Sequence, residues 1–155
     1  MPKCTILVGV PGSGKSTWLR NEEYVEDQYI ASTDDIIESI ANGFGMTYNE
    51  GFKNLIAFAE QVMWKELGAF AKDRERIYID RTNLTVKSRQ KFITALKPYG
   101  YEFDCVVFET PEGDEWKRRL DRPGKTIPDH VLESMADNIE IPTMDEGFET
   151  ITFIS

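Results

Sequence analysis

The sequence predicts an α/β fold, a central parallel five-stranded sheet flanked by helices, on three observations. Short apolar runs alternate with helix-length segments, a glycine-rich loop directly follows the first run, and proline and glycine gather in the gaps between segments. The runs of strand length are Cys4–Val8, Tyr29–Ala31, Ile77–Ile79, Cys105–Phe108 and Ile151–Ile154. Helices are expected over Lys15–Glu22, Asp35–Ala41, Asn49–Lys72, Val86–Leu96, Gly113–Leu120 and Pro128–Ile139. Strands as apolar as Thr5–Val8 and Val106–Phe108 are expected to be buried on both faces, as in parallel sheets. In the long helix, apolar residues from Phe52 and Phe58 through Met63 and Leu67 to Phe70 recur at spacings near three and four, a face expected to pack on the sheet. Thr85 reads as the N-cap of the helix that starts at Val86.

At 155 residues and 41% hydrophobic content, the chain is expected to form one domain over residues 1–155 and to bury about two-thirds of its unfolded surface. Cys4 and Cys105 lie inside apolar runs without a flanking His or Cys partner, so they read as reduced core thiols. No apolar stretch reaches the roughly 18 residues of a membrane span and no leader pattern opens the chain, which predicts a cytoplasmic protein without membrane contact. The net charge of −9 repels a polyanion at long range and argues against a broad nucleic-acid-coating surface. Local contact with a phosphorylated end stays open, since Lys117, Arg118, Arg119, Arg122 and Lys125 fall close together.

The chemistry is carried by Gly9-Val10-Pro11-Gly12-Ser13-Gly14-Lys15-Ser16, which fits the phosphate-binding pattern G-x-x-x-x-G-K-[ST] and stands between a strand and a helix. Glycines let successive backbone N–H groups turn inward on a phosphate, and the following helix start adds partial positive charge. Gly9, Pro11, Gly12, Ser13, Gly14, Lys15, Ser16 and Thr17 are therefore the expected contacts of a nucleoside triphosphate such as ATP. Lys15 would bridge the β- and γ-phosphates, and the Ser16 hydroxyl would complete the shell of a Mg²⁺ ion.

Two carboxylates follow strand ends, where ligands sit in open parallel sheets: Asp34 and Asp80. Asp34 is either the base that takes the proton of an attacking hydroxyl or the N-cap of a helix beginning at Asp35. Asp80 is either a ligand of a magnesium-bound water or a residue that orients its neighbours. A guanidinium suits the spreading charge of phosphoryl transfer, which makes the basic segment a candidate lid, with Pro123-Gly124 as its bend. Arg119 and Lys117 read instead as a solvated helix face, and Lys125 is left unassigned. Trp18 reads as packed on the sheet, Trp116 as a candidate for stacking on a base, and His130 as a surface residue at a helix start.

With these residues in view the chain resembles the kinase domain of bacteriophage-type 5′-hydroxyl polynucleotide kinases. The likeness rests on the loop followed by Thr17-Trp18, on Asp34-Asp35 with Ser39-Ile40, on Asp80-Arg81-Thr82-Asn83-Leu84, on Arg118 with Arg122, and on Ile127-Pro128 with Val131-Leu132 and Ser134-Met135. It implies a P-loop kinase fold with a helical lid over about residues 113–127, Asp34 as general base, and Arg118 and Arg122 closing on the donor phosphates. It further implies transfer of the γ-phosphate to a 5′-hydroxyl end of DNA or RNA, in the host cytoplasm where the gene is a phage's. Two departures stand out. Where those enzymes carry an acceptor-phosphate arginine three positions beyond the base, this chain has Ile37, and where they carry an aspartate directly before the Thr-Asn pair it has Arg81. Arg81 is therefore expected to take over the acceptor-phosphate contact, with Thr82 and Asn83 hydrogen-bonding nearby. No D-x-D-G-T signature follows, so no phosphatase activity is expected. A kinase of a small hydroxylated metabolite or nucleoside, and a nucleotide-driven switch, are the competing readings.

Overall fold

A computed structural model of the chain describes residues 1–21, 29–122 and 124–155. Among them run strands β1 (Lys3–Val8), β2 (Tyr29–Ala31), β3 (Ile77–Ile79), β4 (Glu102–Phe108) and β5 (Phe148–Ile154). The helices are α1 (Lys15–Asn21), α2 (Thr33–Gly43), α3 (Tyr48–Lys72), α4 (Val86–Leu96), α5 (Gly113–Leu120) and α6 (Asp129–Asp137). The strands form one sheet in the order β2-β3-β1-β4-β5, and all pairs are parallel. This is the predicted α/β architecture. Glu22 and Pro123, expected as a helix end and half of a bend, lie outside the described residues.

The core lies on both faces of β1 and its neighbours. Cys4, Ile6, Val8, Ile77, Ile79 and Cys105 face α3 and α4, where Met63, Leu67, Phe92 and Leu96 meet them. Leu7, Tyr78, Val106 and Phe108 face α1, with Trp18 set edge-on against Tyr78 and Phe108 at centroid distances of 5.9 and 6.0 Å. Trp18 thus packs on the sheet, as its position suggests. Both thiols are buried, and burial pushes the Cys105 thiol up to about 12 and the Cys4 thiol higher still, so neither is a nucleophile near neutral pH.

The long helix turns a different face inward than its phenylalanines suggest. Gly51, Ala59, Met63, Leu67 and Ala71 are buried, whereas Phe52 and Phe58 are exposed and Phe70 is half-buried. Small residues at the α2 crossing explain this: a Cβ at Gly51 would stand 3.1 Å from Ala41 Cβ, so the two helices approach where a large side chain has no room. Capping follows side-chain chemistry. Thr85 caps α4 by accepting from Ser88 N, and Thr47 caps α3 with Glu50 in a reciprocal box.

Candidate active site

Parallel strands bring their carboxyl ends to one edge of the sheet, and there a cleft of about 950 Å³ opens. One wall is the loop between β1 and α1, and the floor is Asp80, Arg81 and Thr82 after β3. The far wall is Ser32 and Asp34 at the start of α2, and Arg119 and Leu120 of α5 with Arg122 and Lys125 beyond it complete the lining.

The loop is built as a cradle. Gly12 and Gly14 adopt φ of +77° and +105°, angles that a Cβ opposes, and these turns fold the chain around a hollow. Gly9 N donates to Thr82 O (3.0 Å), tying the loop to the β3 end, and Ser13 N donates to Val10 O (3.2 Å). Lys15 Nζ is folded back onto the carbonyls of Gly9 (2.7 Å) and Val10 (2.9 Å). Burial pulls this ammonium down to about 8 while Asp80 and Asp34 oppose the fall, so an arriving anion would favour its charged form further. Ser13 Oγ is buried and, among the described residues, has no hydrogen-bond partner. A polyphosphate fits this loop, because it would satisfy both groups at once. Ser16 and Thr17 are exposed on the first turn of α1 and open to the cleft, where Ser16 can reach a phosphate-bound Mg²⁺.

Asp34 lies inside α2, one residue past the helix start, and the cap is Ser32, whose Oγ accepts from Asp35 N at 3.3 Å. Asp34 is thereby released from capping. Its Oδ1 accepts the Tyr48 hydroxyl at 2.6 Å, and its Oδ2 stands 3.3 Å from Lys125 Nζ. Asp80 directly follows β3, its backbone N donating to Ala31 O. Burial above all, then Asp35 and Asp34, push its carboxyl up to about 6, while Lys15 opposes the rise. The folded protein therefore holds this proton more tightly than the unfolded chain does, and ionising Asp80 costs stability as pH rises from about 4 through about 6. Asp80→Asn is expected to stabilise the protein by about 1–2 kcal/mol at pH 8 and by nothing measurable at pH 4, a difference that thermal denaturation at the two pH values reads directly.

Arg81 lines the cleft and is pinned by Glu60, with Nη2 to Oε1 at 2.5 Å and Nη1 to Oε2 at 3.3 Å. Ile37 is fully buried in α2 and faces no ligand. Thr82 lines the cleft, but Asn83 does not. Its side chain is buried with φ +48° and donates to the carbonyls of Leu7, Ile79 and Arg81, so it braces strand ends instead of meeting an acceptor.

The basic segment also divides differently from expectation. Arg118 is exposed, pairs with Glu115 within α5 and is absent from the cleft lining. Arg119 lines the cleft in its place, with Nη1 3.5 Å from Gly12 O. The reason is helical spacing: Trp116, Arg119 and Leu120 share one face, which rests on the loop through Trp116 Nε1 donating to Pro11 O at 2.8 Å and through Leu120 against Gly12. Trp116 is thus committed to the loop backbone rather than offered to a base. Arg122 lines the cleft and pairs with Glu38 at 2.7 Å. Tyr48, Glu60, Glu38 and the role of Lys125 escape sequence reading altogether. His130 is exposed in the first turn of α6.

A parallel sheet with a phosphate-binding loop and strand-end carboxylates is the arrangement of a kinase-like P-loop phosphotransferase fold. The chain belongs to a family described as AAA domain, whose model matches residues 5–142. It is 25% identical over 150 residues to the bifunctional polynucleotide phosphatase/kinase of Schizosaccharomyces pombe, covering 94% of this chain and 32% of that protein. In structure it is similar to a protein of the PezAT toxin-antitoxin system of Streptococcus pneumoniae (TM-score 0.71, 18% identity, covering 99% of this chain and 66% of that one). It is also similar to the APS kinase of Mycobacterium tuberculosis in complex with AMPPNP and APS (TM-score 0.57, 15% identity, covering 98% and 88%). No described helix is long and apolar enough to cross a membrane.

Proposed function

We propose that the chain transfers the γ-phosphate of ATP to the 5′-hydroxyl end of a DNA or RNA strand. The observation that carries this reading is the convergence, in one cleft, of the phosphate loop, an uncapped Asp34 and the cations Arg81, Arg122 and Lys125. Identity to a polynucleotide phosphatase/kinase along nearly the whole chain points to the same acceptor.

The donor lies along the loop from Gly9 to Thr17, its phosphates held by backbone N–H groups and by Lys15 once that ammonium leaves its two carbonyls. Ser16, and Asp80 through a water, would hold a Mg²⁺ ion, which would supply charge neutralisation on the donor phosphates. Asp34 accepts the proton of the acceptor hydroxyl while that oxygen bonds to the γ-phosphorus and the bridging oxygen departs with ADP. Arg122 and Arg119 stabilise the charge that spreads over the transferring group. Arg118 joins them only if α5 turns, since here it points to solvent.

Arg81 holds the acceptor's phosphate from the floor of the cleft, in the absence of a cation at Ile37. Arg81→Ala is therefore expected to raise KM for a 3′-phosphorylated nucleoside acceptor at least tenfold, as loss of one charge-assisted contact does, while moving KM for the unphosphorylated nucleoside little. Equal losses on both acceptors would remove Arg81 from that role.

The net charge of −9 and the fold shared with APS kinase favour a second reading, a small hydroxylated metabolite as acceptor. Incubation with γ-labelled ATP separates the readings by where the label goes: to an oligonucleotide, to a small alcohol, or to water alone.

A further inference from the structure

We propose that Lys125 and Tyr48 are positioning residues that seat the Asp34 carboxylate for proton acceptance, so that docking of the lid and orientation of the base are one event. This rests on the reading of Asp34 as the base. Each Asp34 oxygen is engaged from a different element: Oδ1 by the hydroxyl of Tyr48, the first residue of α3, and Oδ2 by the ammonium of Lys125 on the lid. A carboxylate offers about four lone-pair sites, so each oxygen keeps one for an acceptor proton while the group is held against rotation.

The two residues also hold each other, since Lys125 Nζ lies 4.3 Å from the centre of the Tyr48 ring. Tyr48 stays a donor: burial, then the bond to Asp34, push its hydroxyl far above its ordinary value. The other charged groups around Asp34 and Lys125 are Asp35 and Glu38 on α2, Arg122 on the lid, and Lys15 and Asp80 across the cleft.

Lys125 is delivered to this place by backbone that is fastened independently of it. Asn49 N donates to Gly124 O (3.0 Å), Asn49 Nδ2 donates to Thr126 O (3.4 Å), and Thr126 N donates to Asn49 Oδ1 (3.2 Å). Gly124 sits at φ +76° with its missing Cβ 2.7 Å from Thr47 Cβ, so the segment lies flush on the α3 start only because no side chain intervenes. Arg122 on Glu38 adds an ion pair one turn further along α2. A lid placed elsewhere would leave Asp34 with Tyr48 alone.

The test compares Lys125→Met, Lys125→Arg and Tyr48→Phe, each alone and combined with Asp34→Asn, with Asp34→Asn by itself. It reads transfer from ATP to a 5′-hydroxyl DNA oligonucleotide, ATP affinity by titration, and the Asp34 carboxyl-carbon resonance by NMR. Lys125→Met is expected to lower kcat about tenfold, to leave ATP affinity within twofold, and to move the Asp34 carboxyl-carbon resonance as its ammonium partner departs. Lys125→Arg should recover most of kcat, and neither Lys125→Met nor Tyr48→Phe should slow transfer further once Asp34 is Asn. An Asp34 carboxyl-carbon resonance indifferent to Lys125 overturns the inference whatever the acceptor proves to be, and so does a Lys125→Met effect confined to ATP affinity. Full activity of Asp34→Asn would instead sink the base assignment itself, whereas an inactive Asp34→Asn beside an unimpaired Lys125→Met sinks only the role of Lys125.

Discussion

Asp34→Asn is expected to lower turnover by a hundredfold or more, the ordinary scale of a general base, while ATP binds almost as before. The separation follows from placement. The loop and Lys15, proposed to hold ATP, lie between β1 and α1 and at the α1 start, whereas Asp34 rides on α2 and touches Tyr48 and Lys125. The amide keeps the size of the carboxylate and can still accept from the Tyr48 hydroxyl, so the fold is hardly disturbed. Loss of one negative charge in the first turn of α2 costs only about 0.3–1 kcal/mol. What disappears is the site that takes the proton. Single-turnover transfer from labelled ATP, with affinity measured separately, checks the split, and turnover within threefold of the parent would remove Asp34 from the chemistry.

The sequence carried the outline of the fold further than the outline of the site, and the reason lies in the range of the interactions. The β1-loop-α1 unit is legible because one short segment holds the apolar strand, the glycines and the lysine together. The bounds of β4 and β5 are not. Glu102, Asp104, Glu149 and Thr150 break the apolar runs, yet β4 begins at Glu102 and β5 at Phe148, because pairing with a neighbouring strand supplies what the residues' own preferences do not. Polar residues are tolerated there because β5 is an edge strand, with Thr150 Oγ1 bonded to Asp104 at 2.8 Å.

Within the site, the exchange of Arg119 for Arg118 was open to helical spacing. Arg119 lies three positions past Trp116 and beside Leu120, and the face carrying two apolar residues is the one that packs. Tyr48 and Lys125 gave no such signal. They meet Asp34 across 14 and 91 positions, and only the crossing of α2 with α3 and the path of the lid bring the three side chains together.

Arg89 was read only as part of a helix, yet the largest stability effect is expected there. Its side chain is fully buried, and it donates from Nε and Nη2 to the two oxygens of Glu146 at 2.7 and 3.1 Å and from Nη1 to Asn83 O at 2.8 Å. Glu146 in turn accepts from Thr143 N and is 5% exposed. Taking an ion pair out of water costs nearly what its attraction returns, so the pair adds little net stability, but removing one member strands the other. Arg89→Ala is therefore expected to cost about 3–5 kcal/mol, and Arg89→Met with Glu146→Leu much less, because no buried charge is left unpaired. In a chain of this length the single change corresponds to a fall in Tm of about 10 °C. The loss would reach the cleft as well, since Asn83 stands at φ +48° between Arg89 and the Leu7 carbonyl, and Thr82 beside it holds Gly9 N of the phosphate loop. Thermal denaturation of the two variants decides the matter: a double variant as unstable as Arg89→Ala would mean that lost packing, and not a stranded carboxylate, sets the cost.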